Sequence, residues 1–250
     1  MTKIAMWSGP RNISTALMRS FENRLDTFVT DEPFYAHYLH KTGINHPYRK
    51  EVMADGNTDW NSAVDEITGP IPNGKTIWYQ KHMAQHNFPG CDMKWMEKLT
   101  NCILIRHPRE VIVSYSKKYE ITSISKLGYP QQMDLFKLLT DMGISPVIID
   151  AGDVLKNPDK ALKLLCRKLD IPFFTEMLNW PAGRRESDGI WGRHWYGSVE
   201  ASTGFHPYIE KKGDLPSKYQ DIYTACMESY QQLYSHRMPL LMEKTAGQSQ

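Results

Sequence analysis

The sequence predicts an α/β protein, a three-layer sandwich in which a central parallel sheet lies between two layers of helices. Short apolar segments alternate along the chain with segments of helical periodicity, and this alternation is typical of parallel sheets covered on both faces. The 250 residues, 41% hydrophobic and 23% charged, suit one domain with one core. We therefore expect a single domain over residues 1–243 and a disordered tail at 244–250.

The predicted elements follow one another in the order that such a sheet requires. Strands are expected at 4–7, 28–30, 76–80, 102–105 and 147–149. Helices are expected at 15–21, 93–99, 109–118, 133–142, 159–169 and 217–237. Because ligands bind beyond the carboxyl ends of parallel strands, polar residues that follow a strand are the candidates for a functional site.

The first strand ends in a tight turn, Ser8-Gly9-Pro10, that leads into a helix. The polar residues of this turn and of the helix start are Arg11, Asn12, Ser14 and Thr15. The first N–H groups of a helix lack internal partners and the helix dipole adds positive charge, so the turn is predicted to bind a phosphate or sulfate group. GxxxxGK[ST] is absent and no lysine precedes Ser14, so the ligand is not expected to be ordinary ATP.

The second and third strands also end in charged residues. Asp31-Glu32-Pro33 follows the second strand, and Lys81-His82 follows the third. Asp31 suits the cap of a helix opened by Pro33, which leaves Glu32 freer for chemistry. The alternative is that Glu32 itself is the acid of that first turn.

The fourth strand ends in Arg106, and Pro108 suits the first turn of the helix that follows. Ser114 lies two turns into this helix, so the guanidinium and the hydroxyl can reach one anion. The alternative is a capped helix with a surface arginine. The fifth strand ends in Asp150, which is also what a magnesium-holding strand of a kinase would present.

Two of these segments resemble the cofactor-binding motifs of the sulfotransferases, which use 3′-phosphoadenosine 5′-phosphosulfate (PAPS). SGPRNIST is similar to the family motif P-[KR]-S-G-[ST]-T, which wraps the 5′-phosphosulfate. LIRHPREVIVSYSKKY is similar to the family motif R-x-P-x-[DE]-x-x-x-S, whose arginine and serine hold the 3′-phosphate. The residues in the corresponding places are Arg11, Asn12, Ile13, Ser14, Thr15, Arg106 and Ser114. Ile13 replaces the loop glycine, which predicts a turn without positive φ there.

A third segment, VIIDAGDVLKNPDKALKLLCRKLDIPF, is similar to a structural signature of the same family. The matching residues are Asp153, Leu155, Pro158, Leu162, Leu165, Leu169 and Pro172. The three matches occur in family order over about the first 170 residues. The resemblance implies a P-loop-NTPase-like sulfotransferase fold, PAPS as co-substrate and a small-molecule hydroxyl compound as acceptor.

The resemblance also suggests roles for the residues at the strand ends. In-line sulfuryl transfer requires a base for the acceptor hydroxyl and positive charge near the leaving phosphate. Glu32 is the first choice of base, and His82 is the reserve base or acceptor-orienting group. Arg11 would neutralise the leaving phosphate and Lys81 would bind sulfuryl oxygens; no metal is required. Nothing distinguishes His37 or His86 among the nine histidines.

The segment 180–208 combines arginines with aromatic residues. In sulfotransferases a late loop closes over the 3′-phosphate, and either Arg193 or the Arg184-Arg185 pair can take that place here. Trp191, Trp195 and Tyr196 can stack on adenine, enclose an acceptor (including a cationic one) or pack the loop onto the sheet.

Bulk properties exclude several other classes of protein. The net charge of +2 does not indicate nucleic-acid binding, and four cysteines without CxxC spacing predict reduced thiols and no structural zinc. No signal peptide or apolar run of about 18 residues is present, so a cytoplasmic protein without a membrane partner is expected. A kinase and a non-catalytic nucleotide-binding module remain the alternatives.

Overall fold

A five-stranded parallel sheet forms the centre of the protein. The computed structural model describes residues 1–87, 90–210 and 215–240. The strands are β1 (Thr2–Ser8), β2 (Thr27–Asp31), β3 (Ile77–Met83), β4 (Thr100–Ile105) and β5 (Val147–Asp150). Their order is β2-β3-β1-β4-β5, and every neighbouring pair is parallel. The predicted parallel sheet is confirmed.

Helices connect the strands and follow the last one. They are α1 (Ser14–Glu22), α2 (Tyr35–Thr42), α3 (Arg49–Asp55), α4 (Trp60–Thr68), α5 (Pro108–Tyr115), α6 (Tyr129–Asp141), α7 (Ala151–Lys156), α8 (Pro158–Lys168), α9 (Gly192–Trp195), α10 (Gly197–Glu200) and α11 (Gln220–Ser235). The segment expected as a helix at 93–99 is instead a 3₁₀ helix, Lys94–Lys98. The sequence analysis missed α3 and α4, which lie in the long connection between β2 and β3.

The helices form two layers because successive side chains of a strand point to opposite faces of the sheet. Ala5 and Trp7 of β1 pack on one face with residues of α4, α5, α6 and α11. Ile4 and Met6 pack on the other face with residues of α1, α7 and α8. Both faces are apolar, as expected of a parallel sheet buried on both sides. The three-layer arrangement predicted from the sequence is confirmed.

The C-terminal region is described as far as residue 240. The helix expected at 217–237 is observed as α11, preceded by a 3₁₀ turn at Ser217–Tyr219. The tail predicted at 244–250 lies outside the described residues. No helix within the described ranges is long and apolar enough to cross a membrane.

Candidate active site

The turn between β1 and α1 has an unusual backbone. Arg11 and Ile13 adopt φ values of 62° and 57°, a left-handed conformation that is uncommon for residues other than glycine and is costly for β-branched ones. The prediction of a turn without positive φ at Ile13 is therefore wrong. Packing holds the turn in place: the Asn12 side chain donates to the carbonyl of Leu104 at 3.0 Å, and a Cβ on Gly9 would lie 2.6 Å from the carbonyl oxygen of Leu127.

Two arginines and a serine converge on this turn. Arg11 Nε donates to Ser114 Oγ at 2.9 Å, and one terminal nitrogen of Arg106 donates to the Arg11 carbonyl at 2.8 Å. Arg106 is also paired with Glu110 at 2.8 Å. Burial and the nearby Arg106 charge lower the pKa of Arg11, and none of the ion pairs of the described residues includes Arg11. This uncompensated guanidinium favours an anionic ligand.

A cavity of about 460 Å³ lies at the carboxyl ends of the strands, within the size range of small-ligand sites. Its walls include the turn residues from Pro10 to Ala16, and also Glu32, Lys81, Arg106 and Ser114. The cavity thus brings together the β1–α1 turn, both arginines and the candidate base. The candidates from sequence that its described lining lacks are His82 and the three late arginines, Arg184, Arg185 and Arg193.

Lys81 is held in a buried network of charged and polar groups. Asp31 and Lys81 are paired in the β2–β3 register, which places their side chains on the same face of the sheet. The Lys81 ammonium donates to Asp31 at 2.8 Å, to the Tyr196 hydroxyl at 2.8 Å and to Glu32. Burial opposes its charge, but Asp31 and Glu32 together raise the pKa of Lys81 well above its usual value. All three ammonium protons are donated in these hydrogen bonds, so Lys81 holds the Glu32 carboxylate in its observed position.

Glu32 lies directly after β2 at the wall of the cavity. Its φ of 44° is left-handed, and its N–H donates to the Lys81 carbonyl at 2.8 Å, which continues the strand pairing by one residue. The side chain is 11% exposed. One carboxylate oxygen accepts from Lys81, and the other lies 4.0 Å from Nδ1 of His86. The carboxylate is therefore fixed on one side and accessible from the cavity on the other.

His82 lies on the opposite face of the sheet from Lys81. Because β3 continues to Met83 instead of ending at Gln80, the side chains alternate, and the His82 ring enters the aromatic core. It stacks on Trp7 at 4.3 Å, and its Nε2 is 3.2 Å from the Gln80 amide oxygen. Burial lowers the pKa of His82 to about 3. The structure therefore does not bring His82 to the acceptor side.

Replacing His82 by phenylalanine is expected to leave kcat and the acceptor KM within about threefold of the wild type, because a ring of similar volume fills the same core position. Steady-state kinetics with PAPS, together with thermal unfolding to check folding, would measure this. A loss of more than about a hundredfold in a variant with native stability would restore His82 as a base.

The arginines of the late segment lie away from the cavity. Arg184 and Arg193 are exposed, and Arg185 donates to the Pro181 carbonyl at 2.7 Å. None of the three belongs to the described cavity lining, which in this segment begins with Trp191 and Trp195 and ends at Ile209. The expectation that one of these arginines closes the cavity is not supported by their positions.

Asp150 does not have the surroundings of a magnesium ligand. Its carboxylate caps α7 by accepting from the N–H groups of Gly152 and Asp153, and it also accepts from the Tyr230 hydroxyl at 3.0 Å. Burial and the neighbouring Asp153 raise the pKa of Asp150 to about 6. The feature that favoured a kinase is thus a helix cap.

Sequence reasoning named Trp191 and Trp195 of the aromatic side of the cavity but missed its other members. This wall is made of Tyr35, Tyr38, His46, His86, Trp191 and Trp195. Tyr35 stacks on His86 at 4.9 Å, and its hydroxyl lies 2.9 Å from His46 Nδ1. Tyr35 and His86 both follow a strand by a few residues, so their position was the available signal.

The parallel sheet, the β1–α1 turn and the cavity at the strand ends define a P-loop-like α/β protein with a candidate ligand site. A family model described as a sulfotransferase domain matches residues 2–237. The chain belongs to this sulfotransferase family, as its motifs predicted.

Known proteins similar to this chain fall into two groups. The Branched-chain-amino-acid aminotransferase-like protein 1 of Arabidopsis thaliana is 37% identical over 234 residues, which cover 93% of this chain but only 42% of that protein. Two solved structures share the fold with a TM-score of 0.57. These are the sulfotransferase domain of the Synechococcus PCC 7002 olefin synthase (14% identity, 92% and 94% of the two chains) and a sulfotransferase from Alicyclobacillus acidocaldarius (10%, 96% and 97%).

Proposed function

We propose that the protein transfers a sulfuryl group from PAPS to a hydroxyl of a small molecule, with Glu32 as the base. The observation that carries this proposal is the placement of the uncompensated Arg11 guanidinium and of Glu32 in the walls of one cavity. The first offers charge to a leaving phosphate, and the second offers a proton acceptor to a hydroxyl. Both requirements of sulfuryl transfer therefore have a residue in the same cavity.

The chemistry of the donor set fits a nucleotide with two phosphate groups. The N-terminus of α1, with Ser14 and Thr15, would hold the 5′-phosphosulfate together with Arg11. Arg106 and Ser114 would hold the 3′-phosphate, with the Arg106 guanidinium kept in place by Glu110. A nucleotide triphosphate would leave this second pair of donors unused.

Glu32 would take the proton of the acceptor hydroxyl as PAPS supplies the sulfuryl group. The Lys81 ammonium holds one carboxylate oxygen, so the other is directed toward the acceptor. Such positioning removes the need to order the base during the reaction. The backbone strain at Arg11, Ile13 and Glu32 is the kind found where a fold fixes reactive groups.

Binding of the product 3′-phosphoadenosine 5′-phosphate (PAP) is the first test. At a hundredfold excess over Kd, PAP is expected to raise Tm by about 5–10 °C, whereas Mg-ATP at the same concentration is expected to have little effect. Stabilisation by Mg-ATP alone would contradict the proposal. PAP binding without sulfation of any alcohol in a broad panel would favour a nucleotide-binding module.

Replacing Arg106 by alanine is expected to weaken PAP binding by about 10- to 100-fold, the value of a charged hydrogen bond. The matched control is Arg237→Ala, because Arg237 also forms an ion pair, with Asp153 at 3.1 Å, but lies outside the cavity. Isothermal titration calorimetry would measure both constants. Equal PAP affinity of the two variants would remove Arg106 from the nucleotide site.

A further inference from the structure

His86 is buried against the cavity but has a nitrogen without a partner. Its side chain is 7% exposed, and among the described residues no group forms a hydrogen bond with Nδ1. A buried polar atom left unpaired is costly, so such atoms usually face a ligand or an ordered water. His86 belongs to the cavity lining, which makes a ligand the natural partner.

Neighbouring rings fix the orientation of the His86 imidazole. Tyr35 stacks on it with ring centres 4.9 Å apart and planes within 6°, and the Tyr38 ring lies 4.6 Å away. Burial, with the charge of Lys81 as a second cause, lowers the pKa of His86 well below its usual value. The ring is therefore neutral near pH 7, with one donor and one acceptor nitrogen.

His86 and Glu32 lie at a separation that one oxygen atom beside them can bridge. Nδ1 lies 4.0 Å from the second carboxylate oxygen of Glu32, which is too far for a direct hydrogen bond. An oxygen atom beside the line that joins these two atoms can lie about 2.8 Å from both of them. The two groups are thus arranged to hold a common hydroxyl.

We propose that His86 is an acceptor-binding residue that, through Nδ1, holds the acceptor hydroxyl against Glu32. The inference rests on the proposed function, since it names what orients the nucleophile of that reaction. Nδ1–H donates to the hydroxyl oxygen, and Glu32 accepts the hydroxyl proton. The oxygen forms the new bond to sulfur as the bond from sulfur to the 5′-phosphate oxygen breaks. The proton stays on Glu32, and His86 keeps its own proton throughout.

Two substitutions at His86 distinguish the effect of Nδ1 from the effect of the packed ring. His86→Phe keeps a ring between Tyr35 and Tyr38 but removes Nδ1, while His86→Asn keeps an amide N–H near the place of Nδ1. We expect His86→Phe to lower kcat/KM for the acceptor at least about tenfold with unchanged PAP stabilisation, and His86→Asn to recover part of this loss. His236→Phe is the control, because His236 is exposed and outside the cavity. Wild-type kcat/KM in His86→Phe, or no recovery in His86→Asn, would overturn the inference.

A crystal structure of the wild-type protein with PAP provides a second test that needs neither turnover nor a folded variant. We expect a water or acceptor oxygen within about 3.2 Å of both His86 Nδ1 and the Glu32 carboxylate. An ordered site without such an oxygen would overturn the inference even if PAP is bound. Absence of PAP from crystals grown with it would instead count against the proposed function, and the oxygen between the two side chains can still be examined there.

Discussion

Replacing Glu32 by glutamine is expected to lower kcat by about 10²- to 10⁴-fold, the usual contribution of a general base. The amide has the shape of the carboxylate and can still accept from Lys81, but it cannot take the hydroxyl proton. Binding of PAP should be unchanged, because the proposed nucleotide contacts come from the β1–α1 turn and the arginines and not from Glu32. Single-turnover kinetics and PAP-induced thermal shift would measure the two effects separately.

The matched control for this variant is Glu97→Gln. Glu97 is exposed on the 3₁₀ helix before β4 and is not part of the cavity lining, so its loss of charge should not change turnover. If Glu32→Gln retained turnover within about threefold of the wild type, Glu32 would not be the base. The proton acceptor would then be another group of the cavity wall, such as His86, whose Nδ1 lies 4.0 Å from the Glu32 carboxylate.

Replacing Lys81 by methionine is expected to lower the free energy of unfolding by about 3–5 kcal/mol, as is usual when one partner of a buried ion pair is removed. The side chains of Lys81 and Asp31 are only 2% and 1% exposed. The substitution would leave the Asp31 carboxylate without its cation in a site that water does not reach. Urea-induced unfolding of both proteins would give the difference directly.

Lys163→Met is the control for this prediction. Lys163 pairs with Asp159 at a similar distance, 2.7 Å, but the two side chains are 57% and 46% exposed, and such surface pairs contribute at most about 1 kcal/mol. If both variants lost a similar, small free energy of unfolding, the buried Lys81 pair would contribute no more to stability than an exposed pair. Adding Asp31→Leu to Lys81→Met should recover stability, because two apolar groups leave no unpaired charge.

The motifs of the two anion-binding segments were visible in the sequence because they are local. The spacing from Arg106 to Ser114 places both residues on one strand–helix connection, and in the structure Ser114 accepts from Arg11 while Arg106 donates to the Arg11 carbonyl. All five strands were located for a similar reason, since apolar strands of a parallel sheet stand out from the polar connections between them.

His82 was wrongly assigned to the candidate site because the end of β3 was predicted too early. Ending β3 at Gln80 placed Lys81 and His82 together in a loop, whereas the strand runs to Met83 and separates them onto two faces. A shift of a few residues in an element boundary is enough to reverse such an assignment, because strand side chains alternate with a period of two.

Other features depended on tertiary contacts that the sequence does not display. The left-handed backbone of Ile13 is maintained by the packing of its turn against β4 and the segment around Leu127. The carboxylate that faces His86 Nδ1 is 54 positions away along the chain, at Glu32. Likewise, the use of the Asp150 carboxylate as a helix cap follows from the start of α7, which the sequence analysis did not place.

The pairing of Asp31 with Lys81 also has a consequence for how the chain folds. If β3 slipped by one residue along its neighbours, its side chains would exchange faces, and the Lys81 ammonium would enter the layer of Trp7 and Phe34 while His82 faced Asp31. An ammonium in that apolar layer would be unpaired, so misaligned sheets are penalised. The residues that orient Glu32 therefore also discriminate against misaligned forms of the sheet.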